Sequence, residues 1–334
     1  MRGFLIGSAL LALATAPAAA QQRQPDCTDN SRACLVRAAN SYLEALVTHD
    51  GRKPLVWPDI KRTEQGRYPV AGEAEIRHSM DIEPDMKGHA NTRFYVDEEQ
   101  STVVYFTLLR VTGGKEEASR KTYTDDRPMP PTTTHLAERF KIDKGLIREI
   151  EAIFVNEGGS MDHPSGWPPD IKAASPAAKE PEAAPVVKPG CTDNSRACLI
   201  AAAKSYLDAV VTHDGSKVLI HPAIRRTQNG KVTAEGDAAI RASMGKEPDM
   251  LPHRNTRYFV DRENGTVIAF TLFPIFATNK DPNRPGYSMN GQPATTHLAE
   301  RFRVEKGVIT EVEAIHLNDV GTMDATSGWP DAAP

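Results

Sequence analysis

Between residues 32 and 48 the chain reads RACLVRAANSYLEALVT, where Leu35, Ala38, Ala39, Tyr42, Leu43 and Leu46 fall three and four residues apart. That spacing places them on one stripe of an amphipathic helix. The stripe returns in the second half as Leu199, Ala202, Ala203, Tyr206, Leu207 and Val210. Asp29 or Asn30, and later Asp193 or Asn194, suit the helix starts, while Gly51 and Gly215 suit the ends. A second, short helix fits 72–80 and 236–244. The pattern then changes to strands, at 92–97 and 102–109 and again at 135–142 and 146–155. An acidic turn at 98–101 joins the first pair, and its counterpart contains Glu263-Asn264-Gly265, a hairpin signal. Asp143-Lys144-Gly145 joins the second pair, with Glu305-Lys306-Gly307 as its counterpart. Helices followed by antiparallel strands define the α+β class.

These elements occur twice because the chain contains one unit twice. CTDNSRACL stands at 27–35 and 191–199, and VTHDG, EPDM and NTR repeat in the same register. TTHLAERF stands at 133–140 and 295–302, and SGW at 165–167 and 327–329. The second copy is thus two residues shorter between NTR and TTHLAERF. The stretch 170–190, with SPAAKEPEAAPVVKPG, is rich in proline, alanine and charge and reads as a semi-extended linker. The expected domains are 27–169 and 191–331, and the pair can dock as an intramolecular pseudo-dimer. The long loops 111–133 and 275–296 differ most between the copies and read as lids or specificity elements.

Residues 1–20 read as a secretory signal: Arg2, an apolar run at 4–14, then Ala18-Ala19-Ala20. Export to the periplasm or beyond is the expectation. After cleavage no apolar segment is long enough to insert in a membrane. With 40 basic and 44 acidic residues, net charge −4, the composition gives no case for nucleic-acid binding. The expected partner is a small-molecule ligand or substrate. Cys27 and Cys34, like Cys191 and Cys198, are spaced C-x6-C, not the C-x-x-C of redox or common zinc motifs. Four cysteines allow three pairings, and in an exported chain one disulfide within each copy is the natural one. No H-E-x-x-H, EF-hand, nucleotide loop or G-x-S-x-G elbow occurs, so neither a metal nor a cofactor is expected.

YLEALVTHDG, with its aspartate just after the first helix, and the terminal pair HLAERFKIDKGLIREIEAI and HLAERFRVEKGVITEVEAI carry a resemblance. Both copies resemble the NTF2-like fold in its SnoaL-like version, and in particular an uncharacterised secreted SnoaL-related group. The resemblance implies two tandem cones, each with N-terminal helices packed on a curved antiparallel sheet. Many members of that superfamily are dehydratases, isomerases, cyclases or lyases, and others bind ligands without catalysis. No family catalytic constellation matches residue by residue.

Chemistry is therefore sought in the polar residues that both copies share. Leu136, Glu138, Phe140 and Ile142 point to one face of their strand, so Glu138, and equally Glu300, sits in an apolar row. Such a carboxylate is either ion-paired, with Arg93 and Arg257 as partners, or faces a cavity that raises its pKa for proton transfer. Strict alternation puts His135 and His297 on the other face, unless a bulge turns them inward. Arg93 and Arg257 are the alternative anchors for a developing oxyanion. His49, His213, His89, His253, Trp167 and Trp329 are candidates for the cavity or its mouth. The expected activity is a cofactor-independent lyase or isomerase acting on a small apolar or aromatic oxygenated substrate by proton abstraction. The alternative is a noncatalytic periplasmic ligand-binding or assembly protein.

Overall fold

The computed structural model describes residues 25–112, 130–167, 187–279 and 291–329. The leader (1–20), residues 170–186 of the linker, and 113–129 and 280–290 of the two long loops lie outside the described residues. The first half runs α1 (Arg32–Thr48), β1 (Val56–Glu64), β2 (Arg67–Ala71), α2 (Glu73–Ile82), β3 (Met86–Asp97), β4 (Thr102–Val111), β5 (Thr132–Asp143) and β6 (Leu146–Gly158). The second half repeats it as α3 (Arg196–Thr212), a 3₁₀ turn (Gly215–Lys217), β7 (Ile220–Gln228), β8 (Lys231–Glu235), α4 (Asp237–Met244), β9 (Arg254–Asp261), β10 (Thr266–Ile275), β11 (Ala294–Glu305) and β12 (Val308–Val320).

Each half therefore has two more strands than the hydrophobic pattern implies, inserted between its helices. The sheet orders are β2-β1-β6-β5-β4-β3 and β8-β7-β12-β11-β10-β9. The sheets are mixed rather than purely antiparallel, because β1 runs parallel to β6 and β7 to β12. A return through the helix and the β3–β4–β5–β6 meander separates these parallel partners, as a parallel pair requires. Bulges interrupt the pairing at Arg62/Glu64, Ala90/Arg93 and Lys141/Ile142, and each bends its strand.

The apolar stripe of α1 lies in the concave face of its sheet. Leu35, Ala39, Tyr42 and Leu43 are buried with Ile60, Ile76, Val103, Phe140 and Ile150. The expected caps shift by a residue or two. Ser31, not Asp29 or Asn30, caps α1 by accepting the Cys34 N–H at 3.4 Å, while Asp29 holds Ser31 in place. The left-handed residue that ends α1 is His49, φ 52°. Gly51 serves α2 instead: a Cβ there would lie 2.6 Å from the Arg77 carbonyl oxygen, so only glycine lets the two segments meet. Disulfides Cys27–Cys34 and Cys191–Cys198 close within each copy, with Cα atoms 5.8 Å apart, and tie the incoming chain to the first helical turn.

The convex faces of the two sheets pack on each other. Tyr95, Val104, Phe106, Ala137 and Ile153 meet Phe259, Ile268, Phe270, Ala299 and Ile315 in one buried cluster. Charged groups frame this seam, and each contact occurs twice. Glu313 accepts from Arg301 Nε at 3.0 Å and from Arg93 Nη2 of the other half at 2.6 Å. Glu151 accepts from Arg139 Nε at 3.1 Å and from Arg257 Nη2 at 2.5 Å. Asp97 accepts two bonds from Arg196 and the Val260 N–H, and Asp261 takes the same place for Arg32 and the Val96 N–H. The seam is thus self-complementary about a pseudo-two-fold axis, as in an isologous dimer.

Arg301 is fully buried, and Glu311 and Glu313 compensate the cost of burying its charge. Burial pushes the Glu313 carboxyl up, but Arg93 and Arg301 outweigh it and hold the group below the usual range. Glu313→Ala leaves two buried guanidinium groups short of a partner. It should cost about 3–5 kcal/mol of unfolding free energy, measured by urea denaturation of the oxidised chain. A loss below about 1 kcal/mol, the range of exposed ion pairs, refutes this role for the seam.

Candidate functional site

Between the helices and the concave face each half keeps an open space. In the first half it is about 570 Å³ and in the second about 550 Å³. Both volumes fall in the range of small-molecule sites. Strand alternation delivers Leu136 and Glu138 to the first cavity and Leu298 and Glu300 to the second. Glu138 and Glu300 are each 3% exposed.

Among the described residues, neither glutamate forms an ion pair within 4 Å. Arg93 and Arg257, the partners expected from the sequence, instead cross the seam to Glu313 and Glu151. The reason is alternation along β3 and β9: both arginines stand on the convex face. The cation nearest the chemistry is Arg62, equivalent to Arg226, on the strand missed in the sequence. Arg62 is 3% exposed and donates to Tyr42 Oη at 2.8 Å and Ser79 Oγ at 3.0 Å, with Glu64 3.0 Å from its other amino group. Glu83 stands 4.0 Å away. Arg226 repeats the bonds to Tyr206 and Ser243, both 3.1 Å, and the approach to Glu247 at 4.0 Å.

Tyr105 stands directly across the strand pair from Glu138, and its hydroxyl donates to Oε2. Burial nevertheless dominates and pushes the Glu138 carboxyl up to about 8, against the pull of Tyr105 and Arg62. Glu300 faces Ala269 instead of a tyrosine and is also pushed up to about 8 by burial, against Arg226. A shared polar pair completes each wall. Thr134 Oγ1 donates to Asn156 Oδ1 at 2.6 Å, and Thr296 to Asn318 at 2.5 Å. Each asparagine keeps its amide N–H groups as donors on the cavity wall. A buried acid, a fixed guanidinium and an amide around a mostly apolar space can move a proton and stabilise a developing oxyanion.

The other sequence candidates lie away from the cavities. His135 and His297 are buried on the convex side: His135 Nε2 is 3.2 Å from Glu157, and its ring packs on Gly230 of the other half. No bulge turns either histidine inward. Trp167 and Trp329 do not close the cone mouths. Each spans the seam and donates through Nε1 at 2.7 Å, to Thr227 and Thr63 respectively, with Arg301 and Arg139 over the rings. His49 and His213 lock the helix ends through the Met80 and Met244 carbonyls at 3.0 and 3.2 Å. His89 lies within β3 rather than on a loop, bonded to Thr92, and His253 makes the same contact to Thr256, both at 2.7 Å. Among the described residues, no group of three or more His, Cys, Asp and Glu is gathered as for a metal.

Sequence reasoning missed Tyr42, Arg62, Glu83, Asn156 and their counterparts. The signal was present in the repeat, since Glu83 and Glu247 fall in the shared EPDM and Arg62 and Arg226 precede a shared threonine.

A curved six-stranded sheet closed by helices around a polar-tipped cavity is an NTF2-like cone, and this chain has two in tandem. The family model described as a domain of unknown function, DUF8021, matches residues 28–154 and again 192–316. The chain belongs to that family and carries its domain twice. Similar solved structures include a protein of unknown function with a cystatin-like fold from Methylobium petroleophilum, at 19% identity and TM-score 0.29, covering 40% of this chain and 82% of that one. An NTF-2 like protein of unknown function from Burkholderia xenovorans aligns at 11% identity and TM-score 0.29, covering 38% and 88%. AusH from Aspergillus nidulans aligns at 11% identity and TM-score 0.29, covering 37% and 86%. A comparison with curated proteins finds no match.

The raised carboxyls couple stability to pH. Folded, Glu138 and Glu300 keep their protons to about pH 8; unfolded, they release them near 4.5. The folded chain binds more protons between those values, so stability falls as pH rises through that window and levels off above it. In denaturant titrations from about pH 5 to about pH 9, a Glu138→Gln, Glu300→Gln double variant should lose this fall. Parallel profiles for the variant and the unaltered chain refute the assignment.

Proposed function

We propose that the protein is a cofactor-independent lyase or isomerase acting on a small apolar or aromatic oxygenated molecule. The observation that carries this reading is the placement of Glu138 and Glu300, each buried, unpaired with any cation of the described residues within 4 Å, and lining its own cavity. With its carboxyl near pKa 8, Glu138 can both donate and accept a proton close to neutral pH. As a carboxylate it is a stronger base than an exposed glutamate and can remove a proton next to a carbonyl. Tyr105 holds Oε2, which leaves Oε1 for the substrate. The oxygen that gains charge is served by the Asn156 amide and by the field of Arg62. Loss of a leaving group, or return of the proton at another carbon, then separates lyase from isomerase.

Two disulfides are consistent with an extracytoplasmic protein, and among the described residues no helix is long and apolar enough to cross a membrane. With the signal-like leader, they support work in the periplasm or outside the cell. A second reading, a noncatalytic ligand-binding or assembly protein, finds its support in the second cone, where Ala269 removes the hydroxyl that positions the acid.

Proton abstraction can be read without knowing the natural substrate. A panel of small aryl ketones in D₂O, followed by NMR loss of the α-proton signal, should reveal catalysed exchange. Glu138→Gln, or Glu300→Gln for the second cone, should lower it about 10²- to 10⁴-fold while the protein stays folded. Catalysed exchange that persists in both single variants and the double variant removes these glutamates from catalysis.

A further inference from the structure

The two cavities share their acid, guanidinium, tyrosine and amide, so the positions at which they differ carry information about their ligands. Three differences point the same way. Glu64 in the first cone is Gln228 in the second, Phe154 is His316, and Ile82 gives way to Lys246. The first removes a negative charge, the second adds a hydrogen-bonding ring, and the third adds a positive charge at the wall.

The first change has a direct geometric consequence. In the first cone the Arg62 Nη2 amino group is taken by Glu64 at 3.0 Å. In the second, Arg226 is 5% exposed, with Nε bonded to Thr233 at 2.9 Å and Nη1 to Tyr206 and Ser243 at 3.1 Å. Its nearest carboxylate is Glu247, 4.0 Å from Nη1. Nη2 bonds nothing among the described residues and is open to the cavity that Arg226 lines. A buried guanidinium edge that faces an apolar space and has lost the nearer of its two internal carboxylates is a site for an external one.

The neighbouring changes supply the remaining donors. The Gln228 amide donates where Glu64 can only accept once ionised. His316 lines the same wall, across the strand pair from Leu298. Its ring is held neutral at pH 7 by burial, with one N–H to give. Lys246 stands exposed at the edge of the cavity, where it attracts an approaching anion.

We propose that the second cone binds a small apolar or aromatic molecule bearing a carboxylate, anchored on Arg226 with Gln228 and His316, while the first cone selects a neutral one. This inference rests on the reading of the cones as ligand sites, and it concerns binding rather than turnover.

The probes are 2-naphthoate and 2-naphthamide, which differ little in shape but by one negative charge. Each is titrated into the full oxidised chain near neutral pH and followed by calorimetry. Naphthoate should bind, and Gln228→Glu, which restores the first cone's own residue, should weaken it at least about tenfold. His316→Phe, again the first cone's residue, should weaken naphthoate and leave naphthamide unchanged. Naphthoate binding that is indifferent to both substitutions overturns the proposal, as does binding of naphthamide alone. If neither probe binds, the reading of the cones as ligand sites falls along with it. If naphthoate binds as expected but the ketone exchange shows no dependence on glutamate, only the catalytic reading falls.

Discussion

Glu151 and Glu313 each hold two arginines, one from either half of the chain, and the architecture depends on that sharing. A guanidinium between two sheets keeps its charge, and without a carboxylate that charge is strongly destabilising. Among the described residues, Arg93 and Arg257 obtain theirs only from the opposite half. The apolar cluster around Phe106 and Phe270 supplies non-directional attraction, and the charge pairs fix the register at which the sheets meet. Gly66 and Gly230 extend the same constraint, since a side chain at either would collide with the other half. With both convex faces occupied, the concave faces are left for the helices and the cavities.

Strand β5 shows how one pattern serves both purposes. Leu136, Glu138 and Phe140 face the cavity and helices, while His135, Ala137 and Arg139 face the seam. Side chains alternate with period two, so a slip of one residue would put Arg139 in the cone and Glu138 in the seam. The acid's environment and the docking of the halves are therefore set by the same register.

Much of this was legible in the sequence. The repeat, the helix stripe, the hairpins and the apolar row around Glu138 are local patterns, and local patterns survive in one dimension. The β1–β2 hairpin was not legible, because VWPDIKRTEQGRYPVA includes Pro58 and Pro69 around a polar run at 61–67, and β1 buries only about half its residues. That gap hid Arg62, the cation of the site. The seam was hidden for another reason. Arg139, Glu151 and His135 look like surface residues until a second sheet covers them, and nothing local announces the cover. For the same reason the tryptophans of the SGW ending read as plugs of their own cone rather than as pegs in the other half.

The duplication separates what the fold must keep from what it can change. Arg93, Arg139, Glu151, Thr63, Gly66 and Trp167 are each matched by the same residue in the second copy. The cavity walls differ at Glu64 and Gln228 and at Phe154 and His316, and the residue paired across the strands from the acid differs as Tyr105 and Ala269. The charge pairs of a self-complementary seam resist change, because Arg93 meets Glu313 and Arg257 meets Glu151, so a substitution on one side needs an answering one across the axis. A cavity wall faces only its own space, and its residues can change without disturbing the other cone. Fusing two copies in one chain thus frees the two interiors to differ while the charge pairs of their backs stay alike, a freedom that a dimer of identical chains does not have.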